Sequence, residues 1–324
     1  MKEPFKTGAL FALNNLGVNH FFRNRARNRT IVLMYHGVTK DHWDVANNNW
    51  LQVKESIFRK QMEHLAKYYN VVSLKYALKT IDQPSSKPKV VITFDDGYAN
   101  NYTVAYPILK ELNLHATIFL VSDMISTKNL FWYDRLRITL SGNCEPRERI
   151  EWLVQSYKEK HPHSIDELVD KLIHEYRISI EKQHHLAYGV LSYEQILEMQ
   201  SSGLISFDSH THQHEILTQL NEGEPYETIS KSLEILRGHN IKCGNIFCYP
   251  NGLYYPEHFD VLKKLGFKAA MSTECRHWKS YDNVYAIPRY GVGRNMTAIQ
   301  FESFISGMWR GIAGKLKHLK QIGI

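Results

Sequence analysis

The run Val90–Tyr98, Val-Val-Ile-Thr-Phe-Asp-Asp-Gly-Tyr, constrains this chain more than any other stretch. Val90 to Phe94 is short, apolar and β-branched, the pattern of a buried strand. It ends in two adjacent carboxylates and a glycine. Neighbouring side chains on a regular strand point to opposite faces. Asp95 and Asp96 therefore share a site only if the chain bends there, and Gly97 permits the bend. A lone Asp-Asp-Gly is more often a turn with two solvated acids. The alternative, a metal ligand beside a general base, needs partners elsewhere in the chain.

Such partners stand far downstream, in Ser209-His210-Thr211-His212-Gln213-His214, after a second strand-like run, Leu204 to Phe207. His210 and His214 are spaced so that a helical turn would place both imidazoles on one side. One carboxylate with two neutral histidines is a common catalytic zinc set that leaves a position open. His212 would point away on such a helix, toward solvent or the outer layer of the site.

The rest of the chain alternates strands with helices. Thr30 to Tyr35 is a strand ending at His36-Gly37, and a histidine there faces the mouth of a barrel-like fold. Lys54 to Tyr69 is a helix with Phe58, Met62 and Leu65 as core. Strand, helix and strand follow at Val71–Ser73, Asn100–Leu112 and Ala116–Val121. Then come helices at Tyr193–Ser201, Thr228–Gly238 and His258–Leu265, and strands at Ile246–Tyr249 and Val284–Arg289. The alternation argues for parallel βα units. Residues 123–190 break the rhythm: Leu130 to Leu136 is aromatic-rich, and Ile150, Leu153 and Tyr157, then Leu168, Leu172 and Tyr176, mark two amphipathic helices. His184 and His185 near its end read as surface residues. The organisation expected is a basic N-terminal segment (1–29), an α/β barrel (30–122 and 191–296), a helical insert (123–190) and a basic C-terminal helix (297–324). That last helix is placed at Phe301–Leu319, with Met308 and Trp309 covering the barrel or touching lipid.

Of the 324 residues, 43% are hydrophobic and 23% charged, an ordinary globular balance. The net charge of +7 points to an anionic partner, such as a sugar polymer, a nucleotide-sugar phosphate or a lipid headgroup. No nucleic-acid-binding motif is present. The four cysteines form no Cys-x-x-Cys pair, which argues against a structural zinc and fits a reducing compartment. Gly8 to Val18 is a poor signal peptide, and no run of apolar residues is long enough to span a bilayer. The expectation is a cytoplasmic protein. Phe21 to Arg29 is then either a solvated tail or a basic foot on the anionic inner face of a membrane.

The motifs together resemble the polysaccharide deacetylases, carbohydrate esterase family four, with the NodB homology domain. Thr93-Phe94-Asp95-Asp96-Gly97-Tyr98 is similar to their first motif and Ser209-His210-Thr211-x-x-His214 to their second. Phe247-Cys248-Tyr249-Pro250-Asn251-Gly252 is similar to their third. Met34-Tyr35-His36-Gly37-Val38 resembles the opening strand of the bacterial exopolysaccharide branch. The resemblance implies an irregular (β/α) barrel of about seven strands that hydrolyses acetyl groups from N-acetylated sugars. It implies that Asp96, His210 and His214 hold a divalent metal, zinc by preference, and that Asp95 is the general base. The oxyanion would be held by the backbone N–H of Asn251, in the loop Tyr249, Pro250, Asn251 and Gly252.

Two positions depart from the family pattern. The arginine common before the proline of the third motif is replaced by Cys248, and no histidine occupies the fifth motif around Ala286-Ile287-Pro288-Arg289-Tyr290. The proton donor is then His36 or water, and Arg289 is expected to stand in for the arginine and reach the Asp95 carboxylate. Trp132, Tyr133 and Asp134 either contact sugar or anchor the insert. The substrate expected is an N-acetylated glycan, or its lipid- or nucleotide-linked precursor, in surface polysaccharide assembly. An O-acetyl esterase, a non-sugar amidohydrolase and an inactive glycan-binding module are the competing readings.

Overall fold

In the computed structural model, residues 16–43, 49, 51–177, 179–180 and 182–309 are described. Ten strands lie within them. Thr30–Tyr35 (β1), Asn70–Val71 (β4), Lys89–Phe94 (β5), Ala116–Leu120 (β6), Ile205–Ser209 (β7), Cys243–Cys248 (β8), Ala269–Met271 (β9) and Tyr290–Gly291 (β10) form the main sheet. Gly37–Thr39 (β2) and Gln52–Lys54 (β3) make a small parallel ribbon. The main order is β10-β1-β5-β6-β7-β8-β9, with β4 beside β5, and every pairing is parallel. Met271 also bridges to Ile287, just ahead of β10, so the sheet curls round toward closure. This is the irregular parallel α/β barrel expected from the sequence.

Every residue of β1 and β5 is buried, as strands covered on both faces require. Their alternation sorts two layers. Ile31, Leu33, Tyr35, Ile92 and Phe94 pack outward against Phe58, Met62 and Leu65 of the helix Glu55–Tyr68. Val32 and Val91 point into the barrel with Phe119, Cys248, Met271 and Ile287. By the same parity, Thr93 and Asp95 follow Val91 on the inner face.

Several elements differ from expectation. The segment 100–112 begins with a π turn, Asn101–Ala105, before the α-helix Tyr106–Glu111. That turn lets Asn101 donate to the His36 carbonyl at 2.7 Å, and Asn100 accept from the Val38 N–H at 3.0 Å. No strand forms over Val284–Arg289. Val284–Ala286 is a 3-10 turn and β10 starts at Tyr290. Pro288 has no N–H to give a ladder, and the Arg289 N–H goes to the Glu274 carbonyl. The strand placed at Val71–Ser73 is the two-residue β4. Of the expected C-terminal helix, the described residues show Ala298–Ile305, opened by a capping box of Thr297 and Gln300. Gly307, at φ +83°, stops it, because only glycine takes that conformation without strain. Met308 is buried, which removes it from a lipid-facing role. The basic stretch from 310 onward, and residues 1–15 of the N-terminal segment, lie outside the described residues. Val18–Arg25 is a helix, and Arg23 in it pairs with buried Glu302. Among the described residues no helix is long and apolar enough to cross a membrane.

Among the described residues, 123–190 hold four α-helices, Trp132–Gly142, Arg147–Lys158, Ile165–Tyr176 and Lys182–Tyr188, with a 3-10 turn at Pro162–Ser164. The two expected from periodicity are the second and third. They share an apolar cluster in which Leu136, Ile150, Val154 and Val169 meet Tyr98 from the strand end. Tyr98 also donates to Asp134 Oδ2 at 2.6 Å, and Asn49 donates to Oδ1 at 3.2 Å. Asp134 is fully buried, which of its two readings, sugar contact or anchor of the insert, favours the anchor.

Burial raises the Asp134 carboxyl to about 7, against the opposing pull of Tyr98, Arg137 and Asn49. The unfolded value is about 3.9. A raised folded pKa means a stability contribution that is complete below the unfolded pKa and lost as pH rises through the folded one. Urea midpoints of the wild type should therefore decline between about pH 4 and pH 8 relative to Asp134→Asn, which has no proton to lose there. Parallel profiles for the two proteins would contradict this.

Candidate active site at the carboxyl ends of the strands

The site grows from the end of β5. Asp95 continues the inner face of that strand, and its N–H donates to the Tyr35 carbonyl at 3.0 Å. The chain then turns at two left-handed residues, Asp96 at φ +72° and Gly97 at φ +75°. The bend expected at Gly97 thus begins one residue earlier, on the aspartate itself. A Cβ on Gly97 would sit 2.8 Å from Leu120 Cδ2, so the turn needs glycine for space as well as conformation.

Both carboxylates are buried, yet their surroundings differ. The guanidinium of Arg289 forks onto Asp95, Nη1 to Oδ1 at 2.7 Å and Nη2 to Oδ2 at 2.8 Å. Its other donors reach the Ser272 carbonyl, Thr93 Oγ1 and Cys248 Sγ. All of its hydrogen-bonding capacity is thereby used inside the barrel. Burial pushes the Asp95 carboxyl up, but Arg289, with His210 and His36, more than offsets this and holds it below the usual carboxylate range. Cys248 fills the space next to this pair, and burial pushes its thiol well above the ordinary value.

Asp96 faces the other way. Tyr133 donates to its Oδ2 at 2.7 Å. Its Oδ1 is buried with no hydrogen-bond partner among the described residues. That oxygen lies 3.5 Å from His210 Nε2 and 3.4 Å from His214 Nε2. His210 Nδ1 lies 2.8 Å from the Cys248 carbonyl, which can only accept, so Nδ1 carries the proton and Nε2 a lone pair. Lone pairs turned toward one buried carboxylate oxygen repel unless a cation lies between them. Asp96, His210 and His214 therefore fit a metal ion as a one-oxygen, two-nitrogen set. Burial lowers the His210 imidazole to about 4, against the pull of both aspartates, which keeps it neutral and able to ligate. Asp95, His210 and Cys248 also cluster. The arginine fork on Asp95 and the neutral thiol make that second set a poor cation site.

The two histidines do not converge by a helical turn. Residues 210–216 are irregular, and Thr211 at φ +68° and His214 at φ +62° fold the loop back on itself. Glu215 holds this shape: it accepts from the Gln213 N–H at 2.7 Å and from Thr228 Oγ1 at 2.6 Å. His212 is buried rather than solvated, 2.9 Å from Ser122 Oγ, and braces the loop from outside the metal set.

The third-motif residues divide. Tyr249 is buried, its ring stacked on Tyr254 and its hydroxyl on the Tyr285 carbonyl, so its side chain packs the loop. Pro250 is buried beside it. Asn251 sits at φ +55°, and Gly252, at φ +70°, passes so close to Thr273 that a Cβ would collide with it. His36 is half-buried at the end of β1. Burial lowers its imidazole, against the pull of Asp96 and Asp95. A pocket of about 200 Å³ opens beside His214, with Trp132, Pro162, Ile165, Gln213 and Ile216 among its walls.

A sequence model of the family described as polysaccharide deacetylase matches residues 82–270. The chain belongs to the polysaccharide deacetylase family. It is 26% identical over 280 residues to YxkH of Bacillus subtilis (strain 168), covering 86% of this chain and 76% of that one. It is 24% identical over 286 residues to the poly-beta-1,6-N-acetyl-D-glucosamine N-deacetylase of Staphylococcus aureus (strain MRSA252), covering 81% and 78%. The deacetylase PplD of Streptococcus pyogenes, solved in complex with acetate, has the same fold, with a TM-score of 0.61 at 20% identity over 86% of this chain and 98% of that one.

At this candidate site the structure reveals one group that sequence reasoning did not single out. Lys158, at the end of an insert helix, donates to Asn251 Oδ1 at 2.8 Å. No spacing in the sequence links position 158 to a loop at 251. The link between Tyr133 and Asp96 was equally invisible, although the residue itself was marked.

The Arg289 fork yields a stability test. Arg289→Met leaves a buried carboxylate without its partner and should cost about 3–5 kcal/mol, read from urea denaturation near neutral pH. Arg289→Lys should recover only part of this, because an ammonium cannot occupy both oxygens. A Met variant as stable as the wild type would show that the pair is not what keeps the barrel end in place.

Proposed function

We propose that this protein removes acetyl groups from N-acetylated sugars by metal-assisted hydrolysis. One observation carries the reading: a buried Asp96 oxygen, without a hydrogen-bond partner among the described residues, faces two imidazole nitrogens while Asp95, the next residue, is held ionised by a separate cation. The donor set suits zinc, which when bound supplies Lewis acidity to the attacking water and the acetyl carbonyl. Asp95 takes the water's proton. Its Oδ1 accepts from both Arg289 and the Cys248 thiol, while Oδ2, bonded to Arg289 alone, keeps a further lone pair for that purpose. Asn251 offers its backbone N–H to the oxygen that becomes negative. Trp132 and the pocket beside His214 offer one face for a pyranose ring. The Staphylococcus aureus relative, a poly-beta-1,6-N-acetyl-D-glucosamine N-deacetylase, makes a β-linked N-acetylglucosamine polymer the first substrate to test.

The two aspartates should separate by assay. Asp96→Asn should lose bound zinc, measured by elemental analysis after dialysis, and acetate release with it. Asp95→Asn should keep its zinc and lose acetate release from N-acetylglucosamine oligomers by at least about 10²-fold, the typical contribution of a general base. Zinc lost from both variants would overturn the division of roles. Metal-loaded wild type that releases no acetate from any N-acetylhexosamine substrate would overturn the reading itself.

A further inference from the structure

A second pocket, of about 430 Å³, lies at the other end of β1 from the candidate site. Arg29 in its wall immediately precedes that strand. Thr30, where β1 starts, bridges to Trp278, between the pocket residues His277 and Lys279. The helix Val18–Arg25 closes one side. Asn19 and Arg23, one turn apart, tie it to the C-terminal helix through Ser303 and Glu302. Phe22 and Arg25 are left to line the pocket, with Arg29 just past the helix end.

The wall is positive. Arg276 in it is committed, reaching Glu274 at 2.7 Å and Asp282 at 2.5 Å. Arg25, Arg29 and Lys279 form no ion pair among the described residues. Arg29 reaches His277 Nδ1, at 3.5 Å, and no carboxylate. The helix dipole favours Arg25 in a last turn, but it accounts for neither Arg29 nor Lys279. Two exposed rings flank these cations. Phe21 is 62% exposed, and its ring meets that of Phe22 edge-on at 5.7 Å. Tyr281 is 77% exposed, and its ring lies 5.1 Å from Lys279 Nζ. Cations alone would take any anion. Cations between exposed aromatic rings suit a lipid–water interface, where rings sit among the headgroups and basic residues meet anionic lipid. The ends of the chain do not supply the missing anions. Residues 1–15 hold one acid, Glu3, against Lys2 and Lys6. Residues 310–324, which begin just past Gly307 in the pocket wall, hold Arg310, Lys315, Lys317 and Lys320 and no acid.

We propose that this face docks the protein on an anionic bilayer, with Arg25, Arg29 and Lys279 around a lipid phosphate and Phe21 and Tyr281 in the headgroup layer. β1 then leads from the bilayer to the site, and the mouth at its far end opens toward water. The face shares no residue with the site. Docking therefore fixes where the protein works and how it is turned, while hydrolysis of a dissolved substrate does not depend on it. The proposal goes beyond the deacetylase reading and needs neither the metal nor an acetyl group.

The test is co-sedimentation of the full chain with two kinds of vesicle, phosphatidylcholine alone and phosphatidylcholine mixed with phosphatidylglycerol. The protein should bind the mixed vesicles, leave them as salt rises, and ignore phosphatidylcholine alone. Combining Arg25→Gln, Arg29→Gln and Lys279→Gln should weaken binding by about 10²-fold, about fivefold for each cation removed. Combining Phe21→Ser with Tyr281→Ser should weaken it as well, at unchanged charge. A control that removes Arg147 and Lys171 from the insert, both as Gln, should bind like the wild type. All these positions are exposed or line the open pocket, and unfolding midpoints should stay at the wild-type value. A wild type that ignores the mixed vesicles would overturn the proposal. So would a triple variant that binds as the wild type does, or an insert control that loses as much per charge. Binding unchanged by the two serines would overturn it in favour of a small phosphate-bearing ligand in solution. Acetate release from dissolved N-acetylglucosamine oligomers judges the deacetylase reading separately: a wild type that docks and releases none would overturn that reading and leave the docking in place.

Discussion

Everything at the mouth of this barrel depends on one buried ion pair. Arg289 and Asp95 meet inside a ring of apolar strand residues, where an unpaired charge of either sign would be expensive. The pair is not a free gain in stability, since desolvating both partners consumes much of their attraction. What it does is specify. Five donors on a rigid guanidinium have partners on β5, on the β8 end and on the segment after β9. Strands distant in sequence are locked in one register around the acid. Asp95 is thereby kept ionised and aimed, apart from the cluster of Asp96, His210 and His214.

The second constraint is backbone conformation. Asp96, Thr211, His214 and Asn251 all adopt left-handed φ values, and all four lie in the site. Each such residue costs about a kcal/mol or more. They persist because the surroundings over-determine them: Tyr133 on Asp96, the Glu215 network under the histidine loop, Lys158 on Asn251. The strain brings Asp96 Oδ1 and the two imidazole nitrogens around one point that a regular strand and a regular helix could not share.

The insert is part of this machinery. Its first helix contributes Tyr133 to Asp96 and Trp132 to the pocket wall, and its second contributes Lys158. Its apolar core includes Tyr98, the residue after the Asp-Asp-Gly turn. Packing of the insert and the shape of the turn are therefore coupled, and loosening one would disturb the other.

Much of this was legible in the residues themselves. β-branched runs followed by acids or histidines, alternating with amphipathic helices, determine a parallel barrel whose chemistry sits at the strand ends. The motif residues Asp95, Asp96, His210 and His214 stand out because few apolar strands end in such groups. Arg289 stood out by a gap: a buried acid needs a cation, and the family's usual slot holds Cys248. What periodicity cannot carry is non-repetitive backbone. It suggested a helix for the histidine loop and a strand for 284–289, where left-handed residues and a proline dictate otherwise. Nor can it say which polar residues of an insert turn inward. Asp134 reads equally as a sugar contact or an anchor, and Lys158 as an ordinary charged position on an amphipathic helix. Only the packing of the insert against the barrel decided that one is a buried anchor and the other reaches Asn251, because contacts between residues far apart in the chain leave no period to read.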